Sequence, residues 1–374
     1  MHPFRRGLVA AATAVALVAG LTGLTYRVRS DSPGAELPQL ADRWRERAGV
    51  PAVTLAVDSP GRPLVLAASG TGRREGGPPV TAAARFRIAS ITKPFVATVV
   101  LQLAEEGRLR LDDRLARYLP AFPGGDRISL RQLLNHTSGV PDFERADHFG
   151  ETLLADRQRR WRTDEILALV SGARPDFAPG TRFQYSNTGY VLLGEVIHAV
   201  TGATWAAEVR RRIIDQLRLE HTYVAGAEPA LGEVLPGYYD VDDDGDEENV
   251  ETGRPWPAQE TAEGAAGAIV STAGDLAVFG GALFRGRLLA PASLRRMVAE
   301  GPHHAPNSNY GLGVEISRPD YRTTVWGHGG ALPGFRSTLW YVPERDTVIV
   351  VLANDWRANP QDLAELVLRA VTRR

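Results

Sequence analysis

Apolar positions along the chain change their spacing several times, and each change predicts an element. An uncharged run from Gly7 to Leu24 lies between Arg5–Arg6 and the pair Arg27 and Arg29. "DSPGAELP" (residues 31–38) follows and reads as a linker of turn formers. "QLADRWRERAG" then shows the spacing of an amphipathic helix, with Gly49 as its stop. "VPAVTLAV" and "RPLVLAASG" are β-like runs joined by "DSPG", so a hairpin is predicted there. "ITKPFVATVVLQLAEEG" reads as a largely apolar helix that stops near Gly107, with Pro94 in the first turn, where proline is tolerated.

From there to about residue 300 helical spacing dominates, in "ISLRQLLNHTSG", "TDEILALVSG", "TGYVLLGEVIHAVTG", "TWAAEVRRRIIDQL", "STAGDLAVFGGALFRG" and "PASLRRMVAE". The C-terminal part returns to strands: "YGLGVEIS", "RTTVWGHGG", "FRSTLWYVP" and "DTVIVVLAND". The last two, joined by "ERD", read as antiparallel neighbours, and "PQDLAELVLRAVT" closes the chain as a helix. Strands from both chain ends are therefore expected to share one mainly antiparallel sheet with flanking helices. A large, mostly helical region, about 94–300, is inserted between them, and the fold class is α/β (α+β).

Composition narrows the function. At 374 residues, with 44% hydrophobic and 23% charged positions, the chain can bury a sizeable core. Its 43 basic and 44 acidic residues leave a net charge of -1 with no basic stripe, which argues against nucleic acid as a partner. The absence of cysteine excludes disulfides, thiolate nucleophiles and cysteine-based zinc or iron–sulfur sites. The histidines have no zinc-ligand spacing, and His303 and His304 fall in a Pro- and Asn-rich stretch read as a loop. No cofactor is expected. The charged and then apolar pattern of residues 1–30 is that of an export signal, and its 18 uncharged residues are at the short end for a bilayer span. No clean small-x-small site follows, so a cleaved signal and a retained membrane anchor both stand. The expectation is an exported protein, secreted or held at the outer face of the cytoplasmic membrane.

One residue type is conspicuous by its rarity. Lys93 in "SITKPF" is the only lysine; every other basic residue is arginine. A guanidinium stays protonated, whereas a partly buried ammonium can lose its proton and act as a base. If Ser90 begins a helix, Lys93 lies one turn on and on the same face, within reach of the Ser90 hydroxyl. The helix start also offers a free backbone N–H as an oxyanion donor. Downstream, "FQYSNTGY" places Tyr185 and Asn187 just before a helix, and "VWGHGGALPGF" places His328 and Gly330 at the end of a strand. No G-x-S-x-G elbow is present, which counts against an α/β-hydrolase triad.

S-x-x-K, Y-x-N and H-x-G in this order, with "LLNHTSGVPDF" and "GAIVSTAGDLAVFGGAL" around them, resemble the penicillin-binding-protein and serine β-lactamase superfamily. The likeness runs from about residue 40 to the C-terminus. It is strongest to the branch of class C β-lactamases, D-alanyl-D-alanine carboxypeptidases, D-aminopeptidases and related esterases. The resemblance implies a three-layer sandwich over residues 39–374 and an acyl-enzyme mechanism on esters or amides. By the same resemblance Ser90 is the nucleophile, Lys93 and Tyr185 move the proton, and Asn187 orients Lys93 and the substrate amide. His328 stands where other members carry lysine, close to the tyrosine, and the N–H groups of Ser90 and Ala331, after Gly330, hold the oxyanion. The implied partner is a small ester, amide or peptide, with cell-wall peptides and β-lactams within the class. A catalytically silent binding or sensor module is the alternative.

Two features qualify this reading. Family members that bind a substrate carboxylate usually carry hydroxyls after the first residue of the H/K-x-G strand, and here Gly329, Gly330 and Ala331 carry none. Short-chain ester hydrolysis is accordingly expected to exceed carboxypeptidase and β-lactamase activity. Separately, "DVDDDGDEENVE" fits a calcium-loop pattern through Asp240, Asp242, Asp244, Gly245 and Glu251. A polar Glu247 at its eighth position and no helix before it favour a solvated acidic loop.

Overall fold

The two chain ends are spliced together within one sheet. A computed structural model describes residues 36–240, 248–249, 256–299, 301–320 and 322–372. Its large sheet has eight strands in the order Val65–Gly70, Ala52–Asp58, Thr347–Ala353, Phe335–Val342, Val325–Leu332, Glu315–Ser317, Ser308–Tyr310 and His303–Ala305. All neighbours are antiparallel, and the splice pairs Val53 with Ala353 and Leu55 with Val351.

Every residue of the strand Thr347–Ala353 is buried, so both faces of the sheet are covered. Ile349 and Val351 face Leu37, Trp44, Leu363 and Val367 on the terminal helices Leu37–Ala48 and Pro360–Thr372. Val348 and Val350, one step out of phase, face Phe279 and Leu283 on the helix Ala273–Phe284 and the helical region behind it. That alternation makes the expected three layers. Gly49 ends the first helix in the left-handed region (φ 68°), returning its N–H to Arg45. The helix Thr92–Glu105 is apolar all round because it is buried on nearly all sides.

Several boundaries differ from the sequence reading. The first helix begins at Leu37, inside the expected linker, with Pro38 in its first turn. "YGLGVEIS" is not one strand: Gly313 (φ 81°) lies between Ser308–Tyr310 and Glu315–Ser317, which pair with each other. His303 and Ala305 pair with the next strand, so the expected loop there is an edge strand. A second, three-stranded sheet of Phe86–Arg87, Ile269–Ser271 and Tyr223–Val224 was not foreseen, since runs of two or three residues carry no readable period. Residues 1–30 and Asp242, Asp244, Gly245 and Glu251 lie outside the described residues. Among the described residues no helix is long and apolar enough to cross a membrane.

Candidate active site

Ser90 sits at a sharp change of chain direction. The strand Phe86–Arg87 delivers the chain to Ile88, whose N–H is fixed on Ile269 O at 3.0 Å. Ala89 then takes a left-handed conformation (φ 50°), which costs a residue with a Cβ about 1 kcal/mol. Ser90 follows in a 3₁₀ turn, Ala89–Ile91, that runs into the helix Thr92–Glu105. Ser90 therefore precedes the helix proper, and Lys93 is in its first turn.

Lys93 is fully buried, and its ammonium spends its three donors on Ser90 Oγ (2.9 Å), Asn187 Oδ1 (2.7 Å) and Ala266 O (2.9 Å). Burial pulls its pKa down from 10.5 to about 8, against the opposing pull of Glu263, Glu144 and Asp142. Tyr185 donates its hydroxyl to Ser90 Oγ at 2.8 Å, and burial pushes its phenol well above the ordinary range. The tyrosine thus rests protonated, and the lysine is the group poised to give up a proton near neutral pH. His136 explains how Tyr185 is held: its ring lies 4.1 Å from the tyrosine ring, and its Nδ1 accepts the Ser186 N–H at 3.2 Å.

The strand Val325–Leu332 closes the site from the sheet side. A Cβ at Gly330 would lie 2.2 Å from Ser337 Oγ and 2.4 Å from Ile88 O. Glycine is required there because the strand presses on the backbone leading to Ser90, where Ser337 donates to Ile88 O at 3.0 Å. The close approach at Gly330 is therefore to this chain's own backbone. At Gly329 the nearest atom to such a Cβ is Gln361 Nε2 at 3.7 Å, which is ordinary contact. Ala331 lines the same cavity as Ser90.

His328 is near Tyr185, with ring centroids 6.2 Å apart, but its hydrogen bonds go elsewhere. Nε2 meets Tyr310 Oη at 2.7 Å, and Nδ1 meets the Gly329 carbonyl, which can only accept, so Nδ1 carries a proton. Glu315 lies 4.0 Å from Nδ1, and burial raises its pKa to about 7. Tyr310, a residue without a sequence signal, mediates between His328 and the tyrosines of the site.

The cavity encloses about 400 Å³ and has an acidic wall that sequence reasoning missed: Asp142, Glu144 and Glu263, with Glu315 beyond. Asp142 accepts from the Asn187 N–H (3.2 Å) and Nδ2 (3.3 Å), and burial raises its pKa to about 6. Glu263 is buried beside Glu144 and titrates well above the ordinary carboxylate range for that reason. Asp142 and Glu144 lie two residues apart, at the end of "LLNHTSGVPDF" and just beyond it, but Glu263 and Glu315 are more distant, so their meeting carries no local signal. Arg336 and Trp356 line the cavity too. Asp240 is the one calcium-pattern residue described, and it ion-pairs with Arg357 at 3.6 Å. Among the described residues no group of three acids or histidines is arranged to hold a metal.

This arrangement presents a serine hydroxyl to a cavity, with a base and an acid already on its oxygen. A family model described as β-lactamase matches residues 37–373. A D-stereospecific amidohydrolase from Streptomyces sp. is 34% identical, with a TM-score of 0.78 over 88% of this chain and 97% of that one. The D-amino acid amidase from Ochrobactrum anthropi SV3, solved with D-phenylalanine, is 29% identical, with a TM-score of 0.80 over 91% of this chain and 99% of that one. Penicillin-binding protein 4 of Amycolatopsis lactamdurans is 33% identical over 187 residues, 48% of this chain and 46% of that protein, so the match spans about half of each.

Proposed function

The chain belongs to the β-lactamase family of serine hydrolases, and from that premise we propose that it cleaves small amides, and esters of the same acids, through an acyl-enzyme on Ser90. Neutral Lys93 takes the Ser90 proton as Oγ attacks the carbonyl carbon. The N–H groups of Ser90 and Ala331 receive the oxyanion. Tyr185 gives its proton to the departing nitrogen and regains one from Lys93. Water then repeats the sequence on the acyl-serine. The observation that carries this reading is the double hydrogen bond on Ser90 Oγ, from Lys93 at 2.9 Å and Tyr185 at 2.8 Å.

The acidic wall supports a substrate with a free amino group. A cationic ammonium is attracted to Glu144 and Asp142, whereas a carboxylate placed against that wall is repelled. The similarity to a D-stereospecific amidohydrolase and to a D-amino acid amidase agrees with that chemistry. We place the substrates accordingly among D-amino acid amides and short peptides with a free amino end. The pattern of residues 1–30 supports export as the setting.

The test compares D-phenylalanine amide, its N-acetyl derivative, p-nitrophenyl acetate and nitrocefin, in the wild type and in Ser90→Ala. Hydrolysis of the free amine at least tenfold faster than the acetylated form, lost in Ser90→Ala, is expected. Turnover of nitrocefin alone would sink the amine reading. A silent module would show no Ser90 adduct with a fluorescent phosphonate.

A further inference from the structure

Residues from both faces of the sheet line the cavity. Glu315–Ser317 covers the strand Val325–Leu332 only along Val325–Gly327, so no strand pairs with its edge beyond that point, where the Gly329 N–H meets the Glu315 carboxylate. Side chains alternate across this strand and its neighbour. Ser337 and Leu339 face the Ser90 side, where Ser337 bonds Ile88 and Leu339 packs on the helix Ala273–Phe284. Arg336 and Thr338 face the opposite side, as Trp340 does, toward the C-terminal helix. One lobe of the cavity thus holds Ser90, Tyr185 and the acidic wall; the other is lined by Arg336, Trp356 and Gln361, and the two join over that edge.

Arg336 is unlike the other sequestered arginines. Arg87 is paired with Glu260 at 2.8 Å, Arg285 with Asp58 at 2.6 Å, and Arg212 with Glu106 and Glu208. Arg336 makes no hydrogen bond or ion pair with any described residue, and burial alone shifts its pKa, downward. Its guanidinium lies 5.2 Å from the centre of the Trp356 ring, a contact that orients the plane but leaves its donors open. The start of the helix Pro360–Thr372, at Pro360 and Gln361, borders the same lobe and adds positive potential, partly offset by Asp362. Arg336 is also the cross-strand partner of Ala331, beside the position of the oxyanion.

We propose that Arg336 is a specificity-determining residue that binds a carboxylate on the leaving group. The preferred substrates are then short peptides with a free amino end in the acidic lobe and a free carboxyl end in the Arg336 lobe. This rests on the amidohydrolase reading and narrows it from amides to peptides. The guanidinium supplies the carboxylate recognition for which the strand of His328 lacks hydroxyls, from the neighbouring strand instead. A planar carboxylate matches the two-pronged donor geometry of an oriented guanidinium.

The experiment measures binding of D-alanyl-glycine and D-alanyl-glycinamide to the Ser90→Ala protein by calorimetry at low salt, so that turnover is not needed. The carboxylate form should bind about 10- to 100-fold more tightly, with the preference shrinking as salt rises. Arg336→Gln in that background should bring the ratio close to one, while Arg336→Lys should keep part of it; circular dichroism checks folding. The kcat/KM ratio of the two dipeptides in the active enzyme should follow the same order. Equal affinities, no binding of either dipeptide, or a preference that survives Arg336→Gln overturns the assignment. Absence of a Ser90 phosphonate adduct and of all hydrolysis would instead overturn the amidohydrolase reading, and the binding ratio would still judge Arg336.

Discussion

Lys93 combines full burial with the nearby carboxylates Glu263, Glu144 and Asp142, and the two pull its proton in opposite directions. Burial wins, and the pKa near 8 sets a testable pH profile. Only the neutral amine accepts the Ser90 proton, so acylation by a fluorophosphonate should rise about tenfold from pH 7 to 9 with a midpoint near 8. A flat profile would remove Lys93 as the base. Stability follows the same group with its own sign. The unfolded chain keeps this proton up to about 10.5 and the folded one only to about 8, so the cost of burying the charge is complete below 8 and relieved between those values. The sequence alone suggests that Lys93→Arg would lose acylation without cost to the fold. Full burial changes the second half: the larger, always charged fork should also cost about 1–3 kcal/mol, read as a lower unfolding midpoint. Tyr185→Phe, which removes one hydroxyl and little volume, should lower the acylation rate about 10²- to 10⁴-fold with near-native stability.

Among the elements, the joint between the strand Val325–Leu332 and the turn before Ser90 is the most demanding. Gly330→Ala would drive a methyl group into Ser337 Oγ and Ile88 O, so the strand must retreat and Ala331 with it. A loss of about 1–3 kcal/mol and a large drop in acylation are expected, whereas Gly329→Ala, with room for its Cβ, should unfold at nearly the wild-type midpoint. Thermal melts of the two variants side by side decide the point. Helices with long apolar faces, such as Asn187–Thr201 with its Gly202 cap, are legible from spacing and stop signals. The three short strands that fix Ile88 are not, because two residues cannot show a period.

For the whole molecule, stability depends on covering both faces of a sheet in which the pair Ala52–Asp58 and Thr347–Ala353 joins residues some 300 apart in sequence. Leu363, on the C-terminal helix and fully buried against that pair, should cost about 2–5 kcal/mol as Leu363→Ala and lower the unfolding midpoint of the entire domain. Calcium is expected to contribute little. Asp240 is engaged with Arg357, and the strand Tyr238–Tyr239 stands where a calcium loop of that pattern has a helix. EDTA should therefore leave the melting temperature unchanged, and a fall that calcium restores would reinstate the loop as a metal site.

Sequence by itself determined the order of the longer helices and strands, the sharing of one sheet by both chain ends, and the three motifs whose residues line the cavity at Ser90. It could do so because periodicity and short spacings are local: Lys93 reaches Ser90 along one helix start, whatever the rest of the chain does. Tertiary structure alone decided what surrounds that pair. Asp142, Glu144, Glu263 and Arg336 come from segments up to nearly 200 residues apart, and a charge has no signature until folding removes its water and fixes its neighbours. His328 shows the same limit, since its motif put it beside Tyr185 but only packing gave its Nε2 to Tyr310. Motifs name the groups proposed to react; the fold sets their proton affinities and the charges around them.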